Sequence, residues 1–282
     1  MEPTSDAVKA WRRQLRALLR EPLPNIVVTP SEDHAHVLHA AFLGAEGTPY
    51  DGSALIVQLT ASPNYPASPP TAKAINTGLG HVRWHPNVYR DGKLCVSILG
   101  TWSGPGWESS MTLSTVLLSI QSLLATEQPA LAEPGFEARA TSETCDAYNR
   151  ILQHESARVG LLHILVARAS DAPTAAASSS SLFQGQTTLP ERLVDILQPV
   201  LAQGIEGVCS RLEAQASMDG TAFQDPFVRN IGGVNTGVFA FRELSHALRD
   251  AYADLVERGV VEASETEDSD ESSDDDGERT ES

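Results

Sequence analysis

An asparagine and a cysteine stand eight positions apart in the stretch Trp84-His85-Pro86-Asn87-Val88-Tyr89-Arg90-Asp91-Gly92-Lys93-Leu94-Cys95-Val96-Ser97-Ile98-Leu99. Tyr-Arg-Asp-Gly separates them, a turn sequence in which Gly92 suits left-handed backbone. Leu94, Val96 and Ile98 alternate with Cys95 and Ser97. That pattern predicts a short extended segment that buries the first set and turns Cys95 to the more open side. A thiolate is a good nucleophile and a carboxamide can hold an oxyanion, so the pair could carry acyl transfer through a covalent intermediate. The chain has two other cysteines, Cys145 and Cys209, and no CxxC. A disulfide framework or zinc site is not expected, and a reduced cytoplasmic or nuclear setting is the simplest. Cys145 lies in helical context with no nearby base and reads as a packing residue. His34, His36 and His39 do not make a metal set: only His34 and His36 share a strand face, with no carboxylate or cysteine to complete it.

The elements that must position the pair are legible on both sides. Val8, Trp11, Leu15 and Leu18 follow helical spacing, predicting a helix over about 6–20 that Pro22 and Pro24 stop. Its other positions carry Lys9, Arg12, Arg13, Arg16 and Arg20, which make either an ordinary solvated face or a docking surface. Short apolar runs at Asn25–Thr29, Ala35–Leu43, Ser53–Thr60 and Thr71–Asn76, separated by turn residues, predict a four-stranded antiparallel meander. After the cysteine, Met111–Ala125 reads as a helix with Leu113, Val116, Leu117, Ile120, Leu123 and Leu124 on one side. Leu118 points nearly opposite. Two further helices are expected, the second containing Asp146–Arg150. The fold class is α+β.

The His-Pro-Asn triplet, the spacing to Cys95 and a tryptophan before a helix resemble the active site of the ubiquitin-conjugating (E2) enzymes. Gly47-Thr48-Pro49-Tyr50-Asp51-Gly52, Pro63-Asn64-Tyr65-Pro66 and Pro69-Pro70 resemble that family's loop motifs in order and spacing. Tyr148-Asn149 is similar to its last core segment. The resemblance covers residues 6–168 and implies the UBC fold. The longer loop Gly100–Trp107, with Ser97 where many relatives have Asp, is similar to a subgroup of larger E2 enzymes, as are Glu133-Pro134-Gly135-Phe136-Glu137 and Gly220–Phe227.

What the resemblance implies is specific. Cys95 accepts ubiquitin or a ubiquitin-like modifier as a thioester from an E1 activating enzyme and passes it to a lysine of a protein substrate. Asn87 stabilises the oxyanion or the loop that does so. Glu133, at the gate of the site, orients the lysine and takes its proton. His85 and Pro86 hold the active-site loop. Leu118 and Ser122 match the surface that holds the donor modifier. Arg12, Arg13 and Arg16 dock the activating enzyme. No metal or small cofactor is implied, because ATP is consumed by the activating enzyme. The E3 ligase is left open. Ala67 replaces a common large apolar residue and Ser109-Ser110 a common Pro-Ala pair, so ordinary ligases are expected to bind weakly. Two rivals stay open: an E2-like binding module without activity, and another cysteine enzyme such as a protease, for which no suitably spaced catalytic histidine is identifiable.

The resemblance implies a catalytic core at 1–168, and composition and periodicity mark off an Ala/Ser-rich linker at 169–188, a helical extension at 189–261 and an acidic tail at 262–282 in the 282 residues. Helical periodicity in the extension spans Leu189–Leu212 and Phe239–Val256. The tail holds eleven acidic residues and one Arg, so −10 of the net −17 lies there. It lacks the apolar residues to bury a core and is expected to be disordered. Ser264, Ser272 and Ser273 each have an acidic residue three positions on, a pattern acidophilic kinases prefer. A solubilising tail and a regulatory tail that covers the arginines of the first helix are both compatible with this. No apolar run approaches the ~18 residues of a membrane span, and no signal peptide is expected, so a membrane partner is not anticipated; no nucleic-acid partner is expected either.

Overall fold

The computed structural model describes residues 2–167, 181–227 and 232–263. Helix α1 spans Ser5–Arg20, and the Thr4 side chain caps it by accepting from the Ala7 N–H. Ala7, Ala10, Trp11, Leu15 and Leu18 are buried, while Arg12, Arg13, Arg16 and Arg20 are exposed. Val8 is only half-buried, because the small Ala7 and Ala10 occupy the seam instead.

Strands β1 Ile26–Pro30, β2 Val37–Leu43, β3 Ala54–Thr60 and β4 Thr71–Ala74 pair antiparallel in chain order. Val28 faces Ala40, Ala41 faces Ile56, and Val57 faces Ala74. β2 starts two residues later than the sequence predicts. His34 accepts from the Val37 N–H in a turn, so His34 and His36 do not lie on a strand. β4 ends two residues early because the Asn76 side chain replaces the ladder. Its Oδ1 accepts from Ile56 N–H at 2.8 Å and its Nδ2 donates to Ala54 O at 2.8 Å.

Helix α2 is Leu113–Leu124, with a reciprocal cap between Thr112 and Thr115. Helix α3, Ser142–Ala157, runs on through a π-turn at Arg158–Leu162 into α4, His163–Leu165. This run holds Asp146–Arg150, as the second expected helix should, but the first is not found: residues 134–139 form turns. Gly160 lies inside the π-turn. A Cβ there would come within 2.3 Å of the Trp84 ring and 3.0 Å of Ala54 O, so only glycine lets the helix approach this closely.

The two faces of the sheet carry two cores. Leu38, Ala40, Phe42, Leu55, Val57 and Leu59 pack with Trp11 of α1 and the apolar side of α2. Ala41, Ala54 and Ile56 point the other way and meet the C-terminal extension. That extension comprises α5 Glu191–Ala202, α6 Ile205–Glu213, the hairpin β5 Ala222–Gln224 with β6 Thr236–Val238, and α7 Phe241–Glu257. It is not purely helical, and the predicted Leu189–Leu212 helix breaks at Gln203-Gly204. Leu193, Leu197, Phe241, Leu244 and Leu248 are fully buried. Each such side chain contributes ~1.5–3 kcal/mol relative to exposure, so the extension is a second half of the fold.

The linker boundary also moves. Leu182 is buried and its carbonyl bonds His163 Nε2 at 2.8 Å, while Arg158 donates to Gln184 O at 2.8 Å. Residues 181–188 thus belong to the packed structure. The rest of the expected linker, and the tail from 264 with Ser264, Ser272 and Ser273, lie outside the described residues.

Candidate active site

The Asn87–Cys95 pair is closed by reciprocal bonds. Cys95 N–H donates to Asn87 O at 2.8 Å, and Asn87 Nδ2 donates back to Cys95 O at 2.9 Å. The turn between them is tight: Gly92 N–H bonds Tyr89 O at 3.0 Å and Tyr89 N–H bonds Lys93 O at 2.9 Å. Gly92 has φ +87°, and a Cβ there would lie 2.3 Å from Ala74 O, so the backbone needs glycine twice over. One of the two amide hydrogens of Asn87 is therefore spent on holding the cysteine's backbone.

Cys95 departs from expectation. Its residue is only 2% exposed, so it does not face an open side. The extended segment stops at once: Ser97–Leu99 forms a 3-10 turn. Thr101 enforces this exit, because its Oγ1 bonds Leu94 O at 2.6 Å and accepts from Val96 N–H at 3.0 Å. Alternation carried over five residues assumes a straight strand, and the chain bends after two. Tyr89 supplies part of the cover. Its phenol is held up to about 12 by burial, with a hydrogen bond to Cys95 next in importance.

His85 is fully buried, and its Nδ1 accepts from the Asn87 N–H at 3.0 Å. Burial, with Arg83 adding to it, lowers its pKa to about 3. A ring that accepts here and stays neutral fixes the loop and supplies no proton. Pro86 places its carbonyl 2.7 Å from an Arg83 guanidinium nitrogen.

Glu133 lies in the same neighbourhood but not as a free gate residue. It is 5% exposed and its Oε2 receives the same Arg83 nitrogen at 2.7 Å. Arg83, Pro86, Asn87, Tyr89, Trp102, Ala132, Glu133 and Pro134 line a small recess beside the asparagine. Trp102 is 44% exposed on its rim. The lower reaches of the loop are anchored by Trp107, whose Nε1 donates to Pro66 O at 2.7 Å. That bond ties the loop bearing Ser109-Ser110 to the one bearing Ala67, and all three small residues are exposed.

Cys95, Asn87, His85, Pro86 and Glu133 are thus brought together. Leu118 and Ser122 lie outside the recess on the outer side of α2. Both are exposed, and Ser122 Oγ bonds back to Ser119 O. Arg12, Arg13 and Arg16 form no ion pair among the described residues. Cys145 and Cys209 are buried, and burial raises both thiols. Among the described residues no group of three His, Cys, Asp or Glu stands close enough to hold a metal. No described helix is long and apolar enough to cross a membrane.

Sequence reasoning missed Arg83 and its partners in the extension. Asn235 makes a two-way bond with the Arg83 backbone: Arg83 N–H to Oδ1 at 2.7 Å and Nδ2 to Arg83 O at 2.8 Å. Asp225 Oδ2 accepts from the Asn235 N–H at 2.8 Å. Phe227 and Tyr89 flank the Arg83 guanidinium, with ring centres at 5.3 and 5.5 Å. Burial raises the Asp225 carboxyl to about 7, against the pull of Asn235 and Arg83. Nothing local in Val82-Arg83-Trp84 or Gly232-Gly233 signals a shared site. A buried Asp in Gln224-Asp225-Pro226 was legible only as part of a motif.

Residues 10–155, from within α1 to the last turn of α3, match the ubiquitin-conjugating enzyme family, and the chain belongs to that family. Over a longer span it is similar to the E2 Z enzymes, the subgroup of larger E2 enzymes suggested by the Gly100–Trp107 loop and the Gly220–Phe227 run. It is 34% identical to ubiquitin-conjugating enzyme E2 Z of Danio rerio over 262 residues, covering 92% of this chain and 70% of that one. The Xenopus tropicalis E2 Z is 31% identical, covering 90% and 74%. The Homo sapiens E2 Z is 32% identical over 233 residues, covering 83% of this chain and 59% of its own length.

Proposed function

We propose that the chain carries ubiquitin or a ubiquitin-like modifier as a thioester on Cys95 and transfers it to lysine. The observation that supports this most is the reciprocal Asn87–Cys95 bonding, which fixes a carboxamide beside the nucleophile's backbone. In the first step the Cys95 thiolate attacks the carbonyl carbon of the modifier's C-terminal thioester, and the activating enzyme's thiolate leaves. In the second a lysine amine attacks, a C–N bond forms, the C–S bond breaks and Cys95 thiolate is released. The amine's proton goes to a base. Glu133, on the wall of the recess that also holds Asn87, is the carboxylate proposed to orient the amine and accept it. Asn87 then stabilises the oxyanion with the amide hydrogen not committed to Cys95 O, or by keeping the loop in place.

The partners that follow are an E1 activating enzyme meeting the arginines of α1, a modifier held over Leu118 and Ser122, an E3 ligase and protein substrates. ATP is used upstream, so neither metal nor small cofactor is required. Because E2 Z enzymes resemble this chain over most of its length, a specialised activating enzyme and a tandem ubiquitin-like modifier are part of the proposal. A charging assay crossing two activating enzymes with several modifiers tests it. A covalent adduct lost on adding reducing agent supports the reading. The absence of an adduct with every pair refutes it.

A further inference from the structure

The segment matching the family ends at residue 155, yet a chain of hydrogen bonds enters the active site from far beyond it. It starts at Asp225, passes to Asn235 and grips the Arg83 backbone on both sides. Arg83 is 1% exposed and its Nε has no hydrogen-bond partner among the described residues, so its two terminal nitrogens carry all of its side-chain bonding. One guanidinium nitrogen serves both Glu133 Oε2 and Pro86 O, and the other reaches Gly233 O at 3.3 Å. Pro86 precedes Asn87, whose side chain bonds Cys95 O.

The extension approaches as closely as backbone allows. A Cβ on Gly232 would fall 2.3 Å from the Tyr89 ring, and Gly232 O receives the Arg90 N–H at 3.1 Å. Arg90 also donates to Val234 O at 3.2 Å. The turn between Asn87 and Cys95 is therefore gripped from outside at Tyr89 and Arg90, and the chain leading into it at Arg83.

We propose that Asn235, braced by Asp225, is a positioning residue for acyl transfer from Cys95, fixing through Arg83 the Pro86 carbonyl and hence the Asn87 side chain. This rests on the thioester reading above. The reaction needs the oxyanion donor in place when the amine attacks, and displacement of a donor by a fraction of an ångström is costly. Charging depends less on it, since the thiolate attack exchanges one thioester for another. The extension is then a built-in part of the transfer machinery.

The full chain is charged, freed of activating enzyme and mixed with rising lysine, and single-turnover discharge is followed. Asn235→Ala should lower the maximal discharge rate about tenfold or more, with the half-saturating lysine concentration and the charging end-point unchanged. Gln198→Ala is the structural control. It removes bonds from the extension to the carbonyls of Ile164, Leu165 and Ala167, away from the recess, and should leave the maximal rate unchanged. If Asn235→Ala does not fold, Asn235→Asp decides. It keeps the acceptor for the Arg83 N–H and loses the donor to Arg83 O until protonated. Its discharge rate relative to the unsubstituted chain should therefore recover as pH falls. Discharge by folded Asn235→Ala at the unsubstituted rate, or a rate for Asn235→Asp in constant ratio across pH, overturns the proposal. Failure of the unsubstituted chain itself to form a thioester overturns instead the reading beneath it.

Discussion

Replacing Asp225 by asparagine should stabilise the protein above pH 7 and change little near pH 4. The carboxyl is 3% exposed, and burial raises it from its ordinary 3.8 to about 7. Its Oδ1 has no hydrogen-bond partner among the described residues, so only one oxygen is compensated when the group ionises. Between those two pH values the native state keeps a proton that the unfolded chain has released. Stability therefore falls as pH rises through this window, and the full penalty is present above about 7. At ~1.4 kcal/mol per pH unit, the upper bound is about 4 kcal/mol. Asparagine keeps an acceptor for the Asn235 N–H, and the help that Asn235 and Arg83 give the charged form is already contained in the raised value. The expected gain is therefore at most about 4 kcal/mol at pH 8. Denaturant midpoints of both proteins, taken in steps from pH 4 to 8, measure it. His85 and His163 are lowered to about 3 and about 4, chiefly by burial, and destabilise both proteins alike as pH falls below 6.5. They cancel in the difference. A difference that does not change with pH refutes the reasoning, as does a variant less stable at pH 8.

Three further outcomes follow from named contacts. Asn87→Ala should charge on Cys95 yet discharge to lysine about 100-fold more slowly, as loss of one oxyanion donor does; single-turnover rates at saturating lysine check it. Leu118→Asp should slow discharge without moving the thermal midpoint, because that side chain is 46% exposed; a shifted midpoint means the α2 face has been misjudged. Gly160→Ala should destabilise by about 1–3 kcal/mol or prevent folding, since its Cβ must displace the Trp84 ring; denaturant unfolding decides.

The sheet and first helix were legible because their periodicity is set by one apolar face each. Trp11, Leu15 and Leu18 mark α1, and the proline and glycine loops separate the strands. The second core was half-written in the same strands. Ala54-Leu55-Ile56-Val57 is apolar without alternation, which is how a strand covered on both faces reads. What covers the far side could not be told, since Leu193 and Phe241 share a core with Ile56 only through tertiary packing. Cys95 and Asn87 were found from type and spacing, yet the burial of Cys95 was not, because Thr101 bends the chain by a side-chain bond across seven residues. Glu133 was placed by motif, whereas its partner Arg83 carries no local signal. The contact between Arg83 and Asn235 spans 152 positions, and no pattern along the chain encodes it.

Cys95 alone is proposed to form the covalent bond to the modifier. This is tested most directly by charging Cys95→Ser, Cys145→Ser and Cys209→Ser in parallel and reading intact mass with and without reducing agent. An alkoxide leaves far less readily than a thiolate, so Cys95→Ser should hold the modifier as an oxyester that survives reduction. The other two should charge as the unsubstituted chain does, with adducts that reduction removes. A reductant-labile adduct on Cys95→Ser, or loss of charging only in Cys145→Ser or Cys209→Ser, would place the nucleophile elsewhere.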